Sequence, residues 1–232
     1  MIIKDMEHID LPTAWARKNK KLIAREFIRR IKQPQREQPI GIFTAGLPGV
    51  GKTEFTQELI RDLVDKPLRI DMDEVAELIE GYSANKASIF RGGASVILAK
   101  IYDEATKAKI DFIFDGTFAH GNALLNMKRA IDHGYVTKIY FIYQEPQIAW
   151  KFTQDRELVE KRHIDREGFM DAYYKLYENM QQLQEQFKDV TISVIHKDGS
   201  NRVGRIIEGV DDIFDHIAQP LNREQLECVI LE

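Results

Sequence analysis

"GLPGVGKTEF", Gly46 to Phe55, follows the apolar run "PIGIFTA" and precedes a stretch of helical periodicity. Gly46, Gly51, Lys52 and Thr53 satisfy the pattern G-x-x-x-x-G-K-[ST], in the strand-before, helix-after setting that gives the pattern meaning. Glycines let successive backbone N–H groups turn inward on phosphate oxygens, and the start of the following helix adds its positive end. The loop as a whole, Gly46, Leu47, Pro48, Gly49, Val50, Gly51, Lys52 and Thr53, is expected to hold a nucleotide. Lys52 would reach the β- and γ-phosphates and the Thr53 hydroxyl would ligate Mg²⁺. Average residue usage yields this pattern by chance in roughly one chain in a hundred of this size.

Outward from the loop, strand-like runs recur at 39–46, 66–71, 110–116, 137–143 and 190–196, with helical patterns between them. That alternation predicts an α/β fold with a parallel sheet covered by helices on both faces; together with the phosphate loop, the expected class is a three-layer P-loop NTPase of the kinase type with a mainly parallel five-stranded sheet. Three regions are expected: residues 1–39 as a basic amphipathic helix and linker, 40–198 as the core with a lid around 150–170, and 199–232 as a helical tail. The linker is "QPQREQP", 33–39, and the tail reads as two short helices, Val203 to Ile217 and Arg223 to Leu231, separated by Pro220.

The 232 residues are 44% hydrophobic and 30% charged, the balance of a globular chain able to bury a core. No apolar run approaches the ~18 residues of a membrane helix, and the start of the chain lacks a basic segment followed by an apolar one. With a single cysteine, Cys228, a disulfide framework is excluded, and the expectation is a cytoplasmic protein. The net charge of −4 gives no argument for a nucleic-acid partner. Positive charge is concentrated between Trp15 and Lys32, where eight basic residues face the lone acid Glu26; this reads as a helix with one packed stripe and one solvated basic face.

The second strand ends in "RIDMDE", with Asp71 and Asp73 on one side of an extended chain. Ligands of open α/β sheets lie beyond the carboxyl ends of the strands, so the pair falls beside the phosphate loop. A carboxylate there can take the proton of an acceptor hydroxyl as it attacks the γ-phosphoryl group; either aspartate can also cap the helix that follows. Asp115 at the end of "FIFDG" is a second anchor for Mg²⁺, direct or through water, or a cap on Gly116. Arg156, Arg162 and Arg166 fall where kinases of this architecture keep a lid, and arginines held over a nucleotide neutralise charge on the transferred phosphoryl group. "GYSANKASIFRGGAS", 81–95, is either a loop admitting a polar acceptor, with Tyr82, Asn85, Lys86 and Arg91 as contacts, or an ordinary connection.

In order along the chain, "GLPGVGKT", "IDMDE", "FIFDGT" and the pair Arg156 and Arg162 resemble the zeta toxin family. The likeness runs roughly from Ile40 to His196. The resemblance implies a kinase of a bacterial toxin-antitoxin system that phosphorylates UDP-N-acetylamino sugars, inhibiting cell-wall precursor synthesis. It implies Asp73 as base on the sugar hydroxyl, Thr117 near the substrate, Arg156 and Arg162 on the phosphates, and an antitoxin protein that blocks the nucleotide site. Two departures fall on the acceptor side: "RGGASVILAK" lacks the acid the family carries after its D-x-D strand, and Ala119 stands where an arginine is frequent.

The expected activity is therefore transfer of the γ-phosphoryl group of ATP to a nucleotide-sugar hydroxyl. The rival readings are a kinase of another small molecule, a nucleotide or an RNA end, and a nucleotide-dependent switch that works through a partner. No guanine-recognition signature of the N/T-K-x-D kind is present, so ATP is the default and GTP stays open.

Overall fold

The computed structural model describes residues 10–32, 36–160 and 163–231. Its centre is a six-stranded sheet formed by β1 (Ile40–Ala45), β2 (Leu68–Asp71), β3 (Phe112–Asp115), β4 (Val136–Tyr143), β5 (Thr191–Lys197) and β6 (Val203–Glu208), in the order β2-β3-β1-β4-β5-β6. Pairing is parallel throughout except between β5 and β6, which are antiparallel. Inner strands such as β1 and β3 are buried along nearly their whole length, the pattern of a parallel sheet covered by helices.

The helices are α1 (Leu11–Arg29), α2 (Lys52–Asp62), α3 (Met72–Ala76), α4 (Ala87–Lys107), α5 (Ala123–Asp132), α6 (Pro146–Glu160), α7 (Arg166–Gln186) and α8 (Arg223–Leu231). From β1 the chain runs to β2 on one side of the sheet, and from β3 it crosses to β4 on the other. The chain therefore reverses direction about β1, and ligands of such sheets bind where the strand order reverses.

The basic helix α1 lies along α4, and Ala16 and Ala24 are fully buried in the same core as the sheet. Asp10 caps it by accepting from Thr13 N, and Trp15 Nε1 donates to Glu80 Oε2 at 2.8 Å. The contact needs Gly93 on α4, because a Cβ there would stand 2.8 Å from the backbone oxygen of Pro12. Arg17, Lys18, Lys21, Arg25 and Arg29 remain on the exposed side.

Two sequence expectations are corrected. Val203 to Ile217 is not a helix: it forms the edge strand β6 and, after Gly209, a short 3₁₀ turn at Ile213–Asp215, so the sheet has six strands rather than five. The stretch 81–95 is only half a loop, since a 3₁₀ turn at Ala84–Lys86 leads directly into α4 at Ala87. Of the linker, residues 33–35 lie outside the described residues, while Arg36 pairs with Asp65 and with Asp111, the residue before β3.

Candidate active site

The phosphate loop leaves β1 at Ala45 and enters α2 at Lys52. Gly49 has φ +83°, and a Cβ on it would meet the Ala149 carbonyl oxygen of α6 at 2.2 Å, so only glycine fits this turn. Leu47 and Val50 point into the core, which gives their side chains a packing role. Gly51 heads α2 in a left-handed conformation, and Gly46 N donates to Thr117 O at 3.2 Å, tying the loop to the end of β3. Lys52 folds over its own loop and donates to Gly46 O at 3.1 Å and Leu47 O at 2.7 Å. Burial pushes its pKa down to about 8; the negative charge of Asp115 resists the shift and the positive charge of Arg156 adds to it.

At the end of β2, Asp71 is the cap of α3, accepting from Asp73 N at 2.8 Å and Glu74 N at 2.9 Å. Asp73 therefore stands in the first turn of the helix with its side chain in the cleft. Burial pushes Asp71 up to about 6, against the pull of its backbone N–H partner Glu74 and of Arg69. Asp71 and Asp115 are register partners on β2 and β3. Asp115 is almost fully buried: Thr44 Oγ1 lies 3.2 Å from Oδ1, while Thr56 Oγ1 at 2.8 Å and Arg69 Nε and Nη2 at 3.0 and 2.8 Å converge on Oδ2.

These groups open on one cleft of about 1370 Å³, more than the ~300–1,000 Å³ of an ordinary single-ligand pocket and room for a nucleotide beside a second molecule. Of the residues expected from the sequence, Pro48, Gly49, Lys52, Thr53, Asp71, Asp73, Asn85, Arg91, Asp115, Thr117 and Arg156 line it. Tyr82 does not: its ring packs edge-on against Phe90. Arg166 heads α7 outside the lining, and Arg162 lies outside the described residues. His163 is at the cleft edge with Nδ1 2.7 Å from Glu157 Oε1.

Several further residues line the cleft that the sequence did not single out one by one. His120, Asn122, Asn126 and Arg129 come from the β3–α5 connection and α5, and Asp171, Lys175 and Glu178 from α7. Burial lowers the pKa of His120, favouring the neutral ring. Asn179, itself buried on α7, donates to Phe118 O at 2.7 Å and His120 O at 3.3 Å, fixing the turn that follows Thr117. No local motif marks Asn179; its signal would have been one amide inside the apolar stripe of α7.

Oxygen donors from Thr53, Asp71, Asp73 and Asp115 line the cleft, the chemistry that suits a hard divalent cation. Among the described residues no group of three or more acidic, histidine or cysteine side chains that could hold a metal ion by themselves is found.

A G-x-x-x-x-G-K-T loop at the switch point of a sheet ordered 2-3-1-4-5 defines a P-loop fold of the kinase type. The model of the Zeta toxin family matches residues 25–206, and the chain belongs to that family, which makes it a toxin kinase, a phosphotransferase. Among solved structures it is similar to one from the molecular and structural characterization of the PezAT chromosomal toxin-antitoxin system of the human pathogen Streptococcus pneumoniae. That match has 16% identity and a TM-score of 0.64, and covers 98% of this chain and 94% of the other. It is also similar to the AvrRxo1-ORF1:-ORF2 complex, with 11% identity, a TM-score of 0.57 and coverage of 94% and 70%. The AvrRxo1-ORF1:-ORF2 structure with ATP matches with 11% identity, a TM-score of 0.54 and coverage of 85% and 65%. At such identities these likenesses speak for the fold. The chain matches no curated protein. Among the described residues no helix is long and apolar enough to cross a membrane.

Proposed function

We propose that this chain transfers the γ-phosphoryl group of ATP to a hydroxyl of a UDP-N-acetylamino sugar. The observation that carries this reading is the capped acid pair: with Asp71 bound to the start of α3, Asp73 faces the same cleft as Lys52 and Thr53. In the step, the acceptor O–H bond breaks as its oxygen bonds to the γ-phosphorus, the bond from phosphorus to the bridging oxygen breaks, and ADP leaves. Asp73 takes the proton. Lys52, released from the carbonyls of Gly46 and Leu47, neutralises the β- and γ-phosphates, and Arg156, from α6, neutralises charge on the group in transit. Mg²⁺, when bound, supplies charge neutralisation and in-line orientation. Thr53 would ligate it, and Asp115, whose oxygens already meet Thr44, Thr56 and Arg69, would reach it through water. Asn85, Arg91 and Thr117 are candidate acceptor contacts.

Two further elements follow from the family. Phosphorylated nucleotide sugar would no longer serve as a cell-wall precursor in the cytoplasm, and an antitoxin protein would cover the nucleotide site. The toxin-antitoxin setting of the PezAT neighbour supports such a partner. A second acceptor class is favoured by one observation: acids reach the acceptor side from α7, as Asp171 and Glu178, rather than from α4, so another polar small molecule fits the cleft as well. Incubation with Mg²⁺-ATP and a panel of UDP-sugars, followed by mass spectrometry, tests the proposal. A gain of one phosphate on a UDP-N-acetylamino sugar supports it; phosphorylation of only a different acceptor contradicts the sugar assignment.

A further inference from the structure

Arg69 is held unusually for a residue of the outermost parallel strand. Its guanidinium gives Nε and Nη2 to Asp115 Oδ2, gives Nη2 also to Asp71 Oδ2 at 3.1 Å, and pairs through Nη1 with Glu74. The side chains of Arg69, Asp71 and Asp115 are 12%, 13% and 2% exposed, so this is a built cluster and not a surface pair. The strand period places Arg69 on the same face as Asp71, and the register sets Asp71 beside Asp115. Without Arg69, two carboxylates would meet at the strand ends behind Lys52, a ready pair of hard oxygen ligands. With it, the Oδ2 atom of Asp115 is engaged by a rigid, permanently charged fork and by Thr56.

We propose that Arg69 is a positioning residue that stands in for a metal at Asp115, so that a divalent cation enters this site only with the nucleotide, through Thr53, and not at a preformed carboxylate pair. The proposal deepens the phosphoryl-transfer reading and rests on it for its biological sense.

The test reads metal binding and not turnover, so a failure of the kinase assignment does not disturb it. Nucleotide-free protein is titrated with Mn²⁺ and free ion is followed by electron paramagnetic resonance. Wild type and Asp115→Asn are expected to bind Mn²⁺ equally weakly. Arg69→Met is expected to tighten binding by about tenfold or more, the gain disappearing in Arg69→Met/Asp115→Asn. Asp115-dependent Mn²⁺ binding in the nucleotide-free wild type would overturn the proposal, as would a folded Arg69→Met variant that binds no more tightly. Should Arg69→Met not fold, the comparison of wild type with Asp115→Asn decides alone: equal affinity supports the proposal and a loss overturns it.

Discussion

Lys52 spends the nucleotide-free state bonded to two carbonyls of its own loop, in a place dry enough to bring its pKa to about 8. Phosphates arriving there restore the charged form, so nucleotide binding takes up a proton whenever the free lysine is neutral. Below pH 8 that lysine is already charged and the affinity is flat. From pH 8 upward the dissociation constant for ATP is expected to rise, by at most about tenfold per pH unit. Titration calorimetry at pH 7 and pH 9.5 checks this; equal affinities at both would contradict it. For Asp73, proposed as the base, a different signature is expected, because a base acts in the transition state. Asp73→Asn should lower kcat by about a hundredfold or more and leave ATP binding almost unchanged. A variant with wild-type kcat would remove Asp73 from the mechanism.

The elements differ in how much of them could be read in advance. β1, the phosphate loop and the end of β2 are local in sequence, and Asp71 and Asp73 are two residues apart, so their places follow from short-range rules. Arg69 and Asp115 are 46 residues apart, and Asn179 reaches back 61 residues to Phe118; only the sheet order and the packing of α7 bring these groups together. β6 misled for another reason. As an edge strand it is exposed on nearly every residue, so it lacks alternation, while Val203, Ile206, Ile207, Val210, Ile213 and Phe214 mimic helical spacing. Gly204 and Gly209, the second with φ +64°, were the signal against a helix. Likewise Gly92 and Gly93 look like a loop and instead let α4 approach α1. In an open helix Gly→Ala gains about 1 kcal/mol. Gly93→Ala should reverse that sign and lower the melting temperature, because its Cβ meets the Pro12 backbone; a rise would mean that α1 is not held there. Asn179→Ala, which leaves the buried Phe118 carbonyl without its amide, should cost about 1–3 kcal/mol in denaturant unfolding, and an unchanged midpoint would contradict the assignment.

At the scale of the whole molecule, α1, the sheet and α8 share one hydrophobic core, so the basic helix is part of the body that presents the cleft. The cleft is lined by the loop after β1, by acids at the ends of β2 and β3, and by α4, α5 and α7. The loop was legible because one local segment encodes it; of the opposite wall only Asn85, Arg91 and Thr117 were anticipated, because its other lining groups come from separated segments. The central claim is that this single cleft couples the loop to a hydroxyl acceptor through Asp73. Its most direct test is the mass of the acceptor after incubation of wild type, Lys52→Ala and Asp73→Asn with Mg²⁺-ATP and UDP-N-acetylglucosamine. The account predicts one added phosphate with wild type and none with either variant in the same time. Consumption of ATP by wild type with the sugar unmodified, or full modification by Asp73→Asn, would contradict it.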